Sequence, residues 1–500
     1  MTQVSGNLLV WLLVIPFVVS LLAFWARTLG AGARRFLEAV HLIGITLLLV
    51  LTLWAVRLVL LNGSLLALAE WFYADKLAAV FVLVIGLMGF LNGLYSIGYM
   101  RHDLVTGEVD RKGLSTYYGF FHLFLFTMIF TVLSNNIALM WVGVEATTLG
   151  SAFLVGLYGH KSSLEAAWKY VLICSVGVAF ALYGTILVYS NSFNVLQNAH
   201  DSMLWTEIVK HAQLLDPMVM KLAFVFILIG FGTKAGLFPM HAWLPDAHSE
   251  APSPVSSLLS GVLLKCALFA IIRYYIVVGK AIGSAFPSTL LLIFGVLSIA
   301  FAAFFIFSQR DIKRMLAYSS VENVGIIATG LGLGGPLGIF AALFHTINHS
   351  IAKSLMFCTS GNILIKYGTR DLDVIKGMLK VVPFTAFLLG SGALAVAGSP
   401  PFNVFISELL TVTAGLNSGY LWLMILCLLF LLVVFAAFLR LIGEAVFGSP
   451  PENVTRGDVS FITILPIFLL FILMFGLGVY IPSPLSDLLK GAAGIVQSGF

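Results

Sequence analysis

The feature that most constrains this chain is the recurrence of long apolar runs, each near the length of about 20 residues that a helix needs to cross a hydrocarbon layer. Fourteen can be read, centred on 8–26, 37–60, 77–99, 116–133, 136–158, 165–190, 218–241, 255–278, 287–308, 316–334, 336–363, 381–414, 419–446 and 460–483. Soluble domains carry roughly 25% charged residues, whereas here the share is 10% and the mean hydropathy is +1.04. A soluble globular fold is excluded. The 47 Gly suit helices that approach one another closely in lipid. The pattern predicts an all-α polytopic membrane protein with about 14 transmembrane helices. The first run follows no basic segment and precedes no small-residue cleavage pattern, so it reads as a retained span.

Two runs contain helix breakers. The run at 381–414 is too long for one straight crossing and holds Gly398-Ser399-Pro400-Pro401. The run at 218–241 continues into FPMHAWLPDAHSEAPSPV, with Pro239 and Pro245 followed by Pro252 and Pro254. Both are expected to be broken helices, tolerated where the irregular backbone lies against protein rather than lipid. The breaks fall at matching places in two sets of five runs, which predicts two inverted five-helix repeats. The expected organisation is 1–115 (helices 1–3), 116–280 (first repeat, helices 4–8), 281–448 (second repeat, helices 9–13) and 449–500 (helix 14). Inverted repeats with broken helices are a recurring transporter architecture.

The formal net charge of +5 is small for 500 residues, and Lys and Arg sit in short loops rather than in one block. That is a topology signal and gives no reason to expect nucleic acid. Arg27, Arg34, Arg35, Arg101, Arg111, Lys112, Lys161, Arg310, Lys313, Arg314, Lys366, Arg370, Lys376, Lys380 and Arg456 fall on one side. Little beyond Lys76, Lys210, Lys280 and Lys490 falls on the other. The first side is therefore expected to be cytoplasmic, with both termini outside. Cys174, Cys266, Cys358 and Cys427 are isolated and form no CxxC, so no zinc, iron–sulfur or disulfide framework is expected in this chain.

Ionisable residues inside the runs are the functional signal, because a charge at the bilayer centre costs at least about 2.5–3.5 kcal/mol. Glu145, Lys221, Lys234, Lys265, Glu322, His345, His349, Lys353 and Glu408 are so placed. His345, His349 and Lys353 repeat at i, i+4 and i+8 and share one helix face. Burial disfavours the charged form of a Lys or a carboxyl, bringing both toward proton exchange near neutrality. A row of such groups, joined by His and water, is a proton path whose switch is the approach of acid to base. Lys169, Arg273 and Arg440 read instead as structural. The two His lack a further Cys, Asp or Glu on their face, so a metal is not expected.

The stretch from Trp141 to Lys265, and KAGLFPMHAWLPDAHSEAPSPVSSLLSGVLLK above all, resembles the antiporter-like proton-conducting subunits shared by respiratory complex I, multisubunit cation/proton antiporters and membrane-bound hydrogenases. The resemblance covers about residues 116–446. WVGVEATTLGSAFLVGLYG, LEAAWKYVLICSVGVAFALYGT and YSSVENVGI are most similar to the F-type membrane component of hydrogenase-4. It implies that Glu145 and Lys234 form the switching pair, Lys265 the central lysine, and His345, His349 and Lys353 the following relay. Glu408 stands where some members have Lys and others Glu, in the position of an outlet group. The resemblance also implies that this chain performs no bond chemistry. Iron–sulfur clusters and a redox centre would lie in partner subunits of a hydrogenase or dehydrogenase arm. Other expected partners are antiporter-like homologues, an H-like subunit of the membrane arm, and lipid, in an inner (plasma) membrane. The competing readings are a subunit of a multisubunit Na⁺/H⁺ antiporter and a non-conducting scaffold.

Overall fold

The computed structural model of the protein describes residues 2–29, 33–452 and 454–499. The chain is overwhelmingly helical. Its first third forms α1 (Thr2–Trp25), α2 (Ala33–Asn62), α3 (Lys76–Thr106), α4 (Arg111–Leu133) and α5 (Ile137–Val155). Then come α6 (Lys161–Leu196), the short α7 (Trp205–Lys210), α8 (Pro217–Ala235), α9 (Leu244–Glu250) and α10 (Ser253–Leu258). A π turn at Leu259–Leu263 joins α10 to α11 (Leu264–Ile282). The remainder is α12 (Ala285–Ser308), α13 (Ile312–Leu333), α14 (Gly335–Tyr367), α15 (Met378–Val381), α16 (Pro383–Val396), α17 (Asn403–Asn417), α18 (Leu421–Val446), α19 (Phe461–Val479) and α20 (Ser483–Gln497).

Among the described residues, eleven helices are long and apolar enough to cross a membrane, α10 and α11 counting as one span over Ser253–Ile282. The apolar runs predict about fourteen crossings. The other three runs are helical too, but α13 and α14 carry polar and charged side chains, and α16 and α17 are two short pieces. α13 and α14 are almost wholly buried, so their polar groups face protein rather than lipid. A small antiparallel hairpin, β1 (Ser64–Ala67) with β2 (Phe72–Asp75), departs from the expected all-helical pattern.

Helix starts are fixed by short polar side chains in the loops. Asp75, Asp110, Asn136, Asp216 and Asp311 each accept a backbone N–H from the first turn of α3, α4, α5, α8 and α13 respectively. Small residues then set helix spacing. A Cβ at Gly325 of α13 would come within 2.7 Å of the Gly295 carbonyl of α12, so the two backbones meet where no other residue fits.

The loops gather on two faces. On one, Arg101 pairs with Glu38, Arg314 with Asp246, and Arg370 with both Glu250 and Asp311. On the other, Asn135 bonds to Trp205, Asp216 to Asn191, and Arg273 to Asp75.

Both expected breaks are present. α8 ends at Gly236 (φ +81°), and the chain runs through Pro239 to Pro245 in the first turn of α9. α16 ends before Gly398 (φ +68°), and Pro400 and Pro401 lead into α17. At Gly398 the left-handed backbone and the Glu408 carboxyl, into which a Cβ would collide, both require glycine.

Candidate functional site

Three polar clusters line the bundle interior. In the first, Ser175 Oγ of α6 donates to Glu145 Oε1 at 2.6 Å, while Glu145 Oε2 is buried with no hydrogen-bond partner. Lys234, in the last turn of α8 before the break, is fully buried. Its Nζ donates to Thr148 Oγ1 at 2.7 Å and to Tyr170 OH at 2.6 Å, and it lies 4.5 Å from the Tyr170 ring centroid. Ser151 Oγ closes the cluster against Tyr170 OH at 2.6 Å. Among the described residues, Glu145 and Lys234 form no ion pair within 4.0 Å. Each bonds hydroxyls instead, Glu145 that of Ser175 and Lys234 those of Thr148 and Tyr170.

In the second cluster Lys265 is buried beside the π turn. Its Nζ donates to Ser260 O at 2.6 Å and also hydrogen-bonds His349 Nδ1. Ser260 Oγ reaches Ser320 Oγ of α13 at 2.7 Å. Ser260 lies within that π turn, Leu259–Leu263. Lys353, two turns beyond His345 on α14, donates to Leu316 O at 2.9 Å.

The third cluster joins α13, α14 and α17. Asn323 Nδ2 donates to Ser319 O at 2.8 Å and to Glu322 Oε2, leaving Glu322 Oε1 unpartnered. Asn323 Oδ1 then faces His345 Nε2 at 3.1 Å, and His345 Nδ1 faces Ser407 Oγ at 2.9 Å. An amide oxygen only accepts, so Nε2 of His345 carries a hydrogen. His345 and His349 stack with ring centroids 6.3 Å apart and 6° between planes, as their helical spacing predicts. Glu408 follows Ser407 and opens onto a cleft lined by Ile299, Ile326, Thr411, Met424 and Cys427.

Not every expected site residue belongs. Lys221 does not lie in the interior. It sits in the second turn of α8 and is exposed, with Nζ 5.9 Å above the Phe286 ring. An apolar run gives depth only once its ends are known, and Asp216 and Pro217 start this helix just before Lys221. Of the three residues expected to be structural, Arg273 forms a buried bidentate pair with Asp75 at 2.7 and 2.9 Å, and its guanidinium lies 4.1 Å from the Trp205 ring centroid. Lys169 pairs with Glu165 and Asp246, and Arg440 lies over Phe307.

Two further buried groups escape a reading of the sequence. Lys313, which falls among the basic loop residues, is buried, and its Nζ donates to Ala251 O at 2.7 Å. His248 of α9 is fully buried and stacks on Phe357 at 4.9 Å. Its place within PDAHSEAPSP, directly after the break, is the available signal.

Known proteins resemble this chain in sequence and in fold. Residues 134–435 match the transmembrane family of NADH:quinone oxidoreductase and Mrp antiporters, and residues 64–106 match the N-terminus of complex I chain 5. A hydrogenase-4 component F homolog of Methylacidiphilum infernorum is 40% identical over 83% of this chain and 86% of its own length. Hydrogenase-4 component B of Escherichia coli is 33% identical over 67% of this chain, which spans 49% of that protein. Among solved structures, a chain of the archaeal membrane-bound sulfane sulfur reductase superposes with a TM-score of 0.87 at 27% identity, covering 98% of both chains. A chain of the Mrp complex from Dietzia sp. superposes with a TM-score of 0.85 at 19% identity over the whole of both chains.

Proposed function

Because the chain belongs to the transmembrane family of NADH:quinone oxidoreductase and Mrp antiporter subunits, we propose that it is a proton-translocating, antiporter-like subunit of an energy-converting membrane complex of the hydrogenase-4 type. The observation that carries this reading is the row of titratable groups that runs from the half-buried Glu145 through the buried Lys234, Lys265, His349 and His345 toward Glu408.

The residues suggest how a proton moves. Lys234 has two acceptors at present, Thr148 and Tyr170, while one oxygen of Glu145 is free. A small shift of α5 against α8 would exchange a hydroxyl acceptor for a carboxylate and stabilise the ammonium. Withdrawal of Glu145 favours loss of the proton toward Lys265. The Lys265 ammonium faces His349 Nδ1, so a proton handed to that nitrogen lets the ring release another from Nε2. Partner subunits hold the redox chemistry and drive the Glu145 movement. The subunit contacts are the membrane arm and a hydrophilic arm. In the two-repeat reading, 116–280 and 281–448 each hold one half of the path. The basic loops face the cytoplasm and both termini lie outside, which impermeant cysteine labelling at Thr2 and Ser498 tests.

The decisive experiment is a double-mutant cycle. Lys234→Ala and Glu145→Gln each remove most coupled proton transport from an assembled complex, and the double change is little worse than either, because the two act as one unit. Wild-type transport in either single variant would favour a scaffold.

A further inference from the structure

The row from Glu145 to Glu408 leaves two fully buried ionisable groups without a role, Glu322 of α13 and Lys353 of α14. α13 and α14 are joined through Gly334 alone and run antiparallel. His345 Nε2 meets Asn323 Oδ1 at 3.1 Å, and Lys353 Nζ donates to Leu316 O at 2.9 Å. Glu322 is thus level with the His345 turn, while Leu316 lies six residues earlier, about 9 Å of helix rise. Side chains lean toward the N-terminus of their own helix. In antiparallel neighbours that brings the Glu322 carboxyl and the Lys353 ammonium toward each other, and each lies within electrostatic reach of the other.

The two are not paired. The Lys353 ammonium is taken up by the Leu316 carbonyl, and Asn323 Nδ2 donates to one Glu322 oxygen and to Ser319 O. Glu145 and Lys234 show the same arrangement, an acid and a base that each bond other groups. A bundle that needed Glu322 and Lys353 only to neutralise one another would hold them in direct contact, because buried charges offset their desolvation only at close range and in good geometry.

Their neighbours connect the pair to the row. Lys353 follows His349 by one helical turn on α14, and His349 Nδ1 bonds the Lys265 ammonium. Asn323, which holds Glu322, also accepts the Nε2–H of His345. An unpaired Lys353 ammonium disfavours a proton on His349 and drives it onward. A carboxylate moved against that ammonium cancels the repulsion and lets Lys265 load the ring.

We infer that Glu322 and Lys353 form a second acid–base switch, placed at the histidine relay as Glu145 and Lys234 are placed at the start of the row. Turning Glu322 from Asn323 to Lys353 exchanges the Leu316 carbonyl for a carboxylate, with no proton gained or lost by the pair. The same turn releases Asn323 Nδ2, so His345 and His349 both sense one movement. The inference rests on the reading of this chain as a proton-translocating subunit.

The test uses the assembled complex in sealed vesicles. Glu322→Gln keeps the length and an oxygen for Asn323 but carries no charge, and Lys353→Met keeps the bulk without the ammonium. Each should slow proton transport about tenfold, the usual size of a coupling between sites. That is less than the loss from Lys265→Met, because the relay stays continuous and only its bias is removed. The Glu322→Gln/Lys353→Met double variant leaves neither charge behind, should assemble at wild-type yield, and should be no slower than the slower single change. A merely structural ion pair predicts the opposite: poor assembly of each single variant, with both yield and rate restored in the double. The double variant therefore decides even where neither single one assembles: slow transport supports the switch, and the wild-type rate overturns it. Losses that multiply to about a hundredfold in the double variant also overturn it, since independent groups add in free energy. Lys234→Ala, measured alongside, separates the two readings. If it is inactive while the double variant runs at the wild-type rate, the switch alone falls; wild-type rates in both would overturn the proton-translocating reading itself.

Discussion

Lys234 directs its ammonium at the hydroxyl of Tyr170, 2.6 Å away, rather than at the carboxylate of Glu145. The same hydroxyl meets Ser151 and the same ring packs at a tilt against Trp243, centroids 4.6 Å apart, so its position is tightly fixed. Tyr170 is thus a competitor of Glu145 for the lysine. A hydrogen bond to a charged group contributes about 1.5–3 kcal/mol, enough to shift the position of Lys234 by about one to two orders of magnitude. Tyr170→Phe should therefore draw Lys234 to Glu145, slow proton release and lower the coupled rate without loss of assembled complex. Measuring transport per assembled complex checks this; an unchanged rate would mean that Tyr170 only packs.

Glu408 separates two roles by three substitutions. As an outlet group it must hold and release a proton, so Glu408→Gln should block transport and Glu408→Asp should slow it. Glu408→Lys, which keeps a titratable group, should restore part of the rate. As a packing group it would tolerate Gln, which still hydrogen-bonds, whereas Lys would disrupt assembly. Active Gln with unassembled Lys contradicts the outlet role.

The Arg273–Asp75 pair ties the middle of α11 to the start of α3, and both side chains are 3% exposed. Removing one partner leaves a buried uncompensated charge, a loss of about 3–5 kcal/mol. Arg273→Met should lower the yield of folded protein sharply, and adding Asp75→Leu should recover much of it. Thermal unfolding in detergent measures both. Equal losses in the single and double variants would show that the charge pairing is immaterial.

Much of this is legible in the sequence because insertion into lipid leaves few options. Apolar runs locate the helices, and Gly398 to Pro401 locates a break. The i, i+4 spacing of His345 and His349 becomes a stacked pair. Depth is less legible. Lys221 lies in an apolar run yet is exposed, and Lys313 lies beside a basic loop yet is buried, because a helix end fixes depth and hydropathy averages over it. Partners across helices are not legible at all. Nothing in the local pattern joins Arg273 to Asp75, nearly 200 residues earlier, or His41 to His122, since those contacts arise only when α2, α3, α4 and α11 pack. Glu145 and Lys234 bond the hydroxyls of Ser175, Thr148 and Tyr170, which a reading centred on charges passes over.

The central claim is that protons cross through the buried row, and Lys265 is its narrowest point. It is buried at the π turn, and its ammonium links Ser260 O to His349 Nδ1. Methionine matches its length, fills its place and carries no proton. The account predicts that Lys265→Met leaves the complex assembled while coupled proton transport in sealed vesicles falls by about two orders of magnitude or more. Transport at the wild-type rate by assembled Lys265→Met would contradict it.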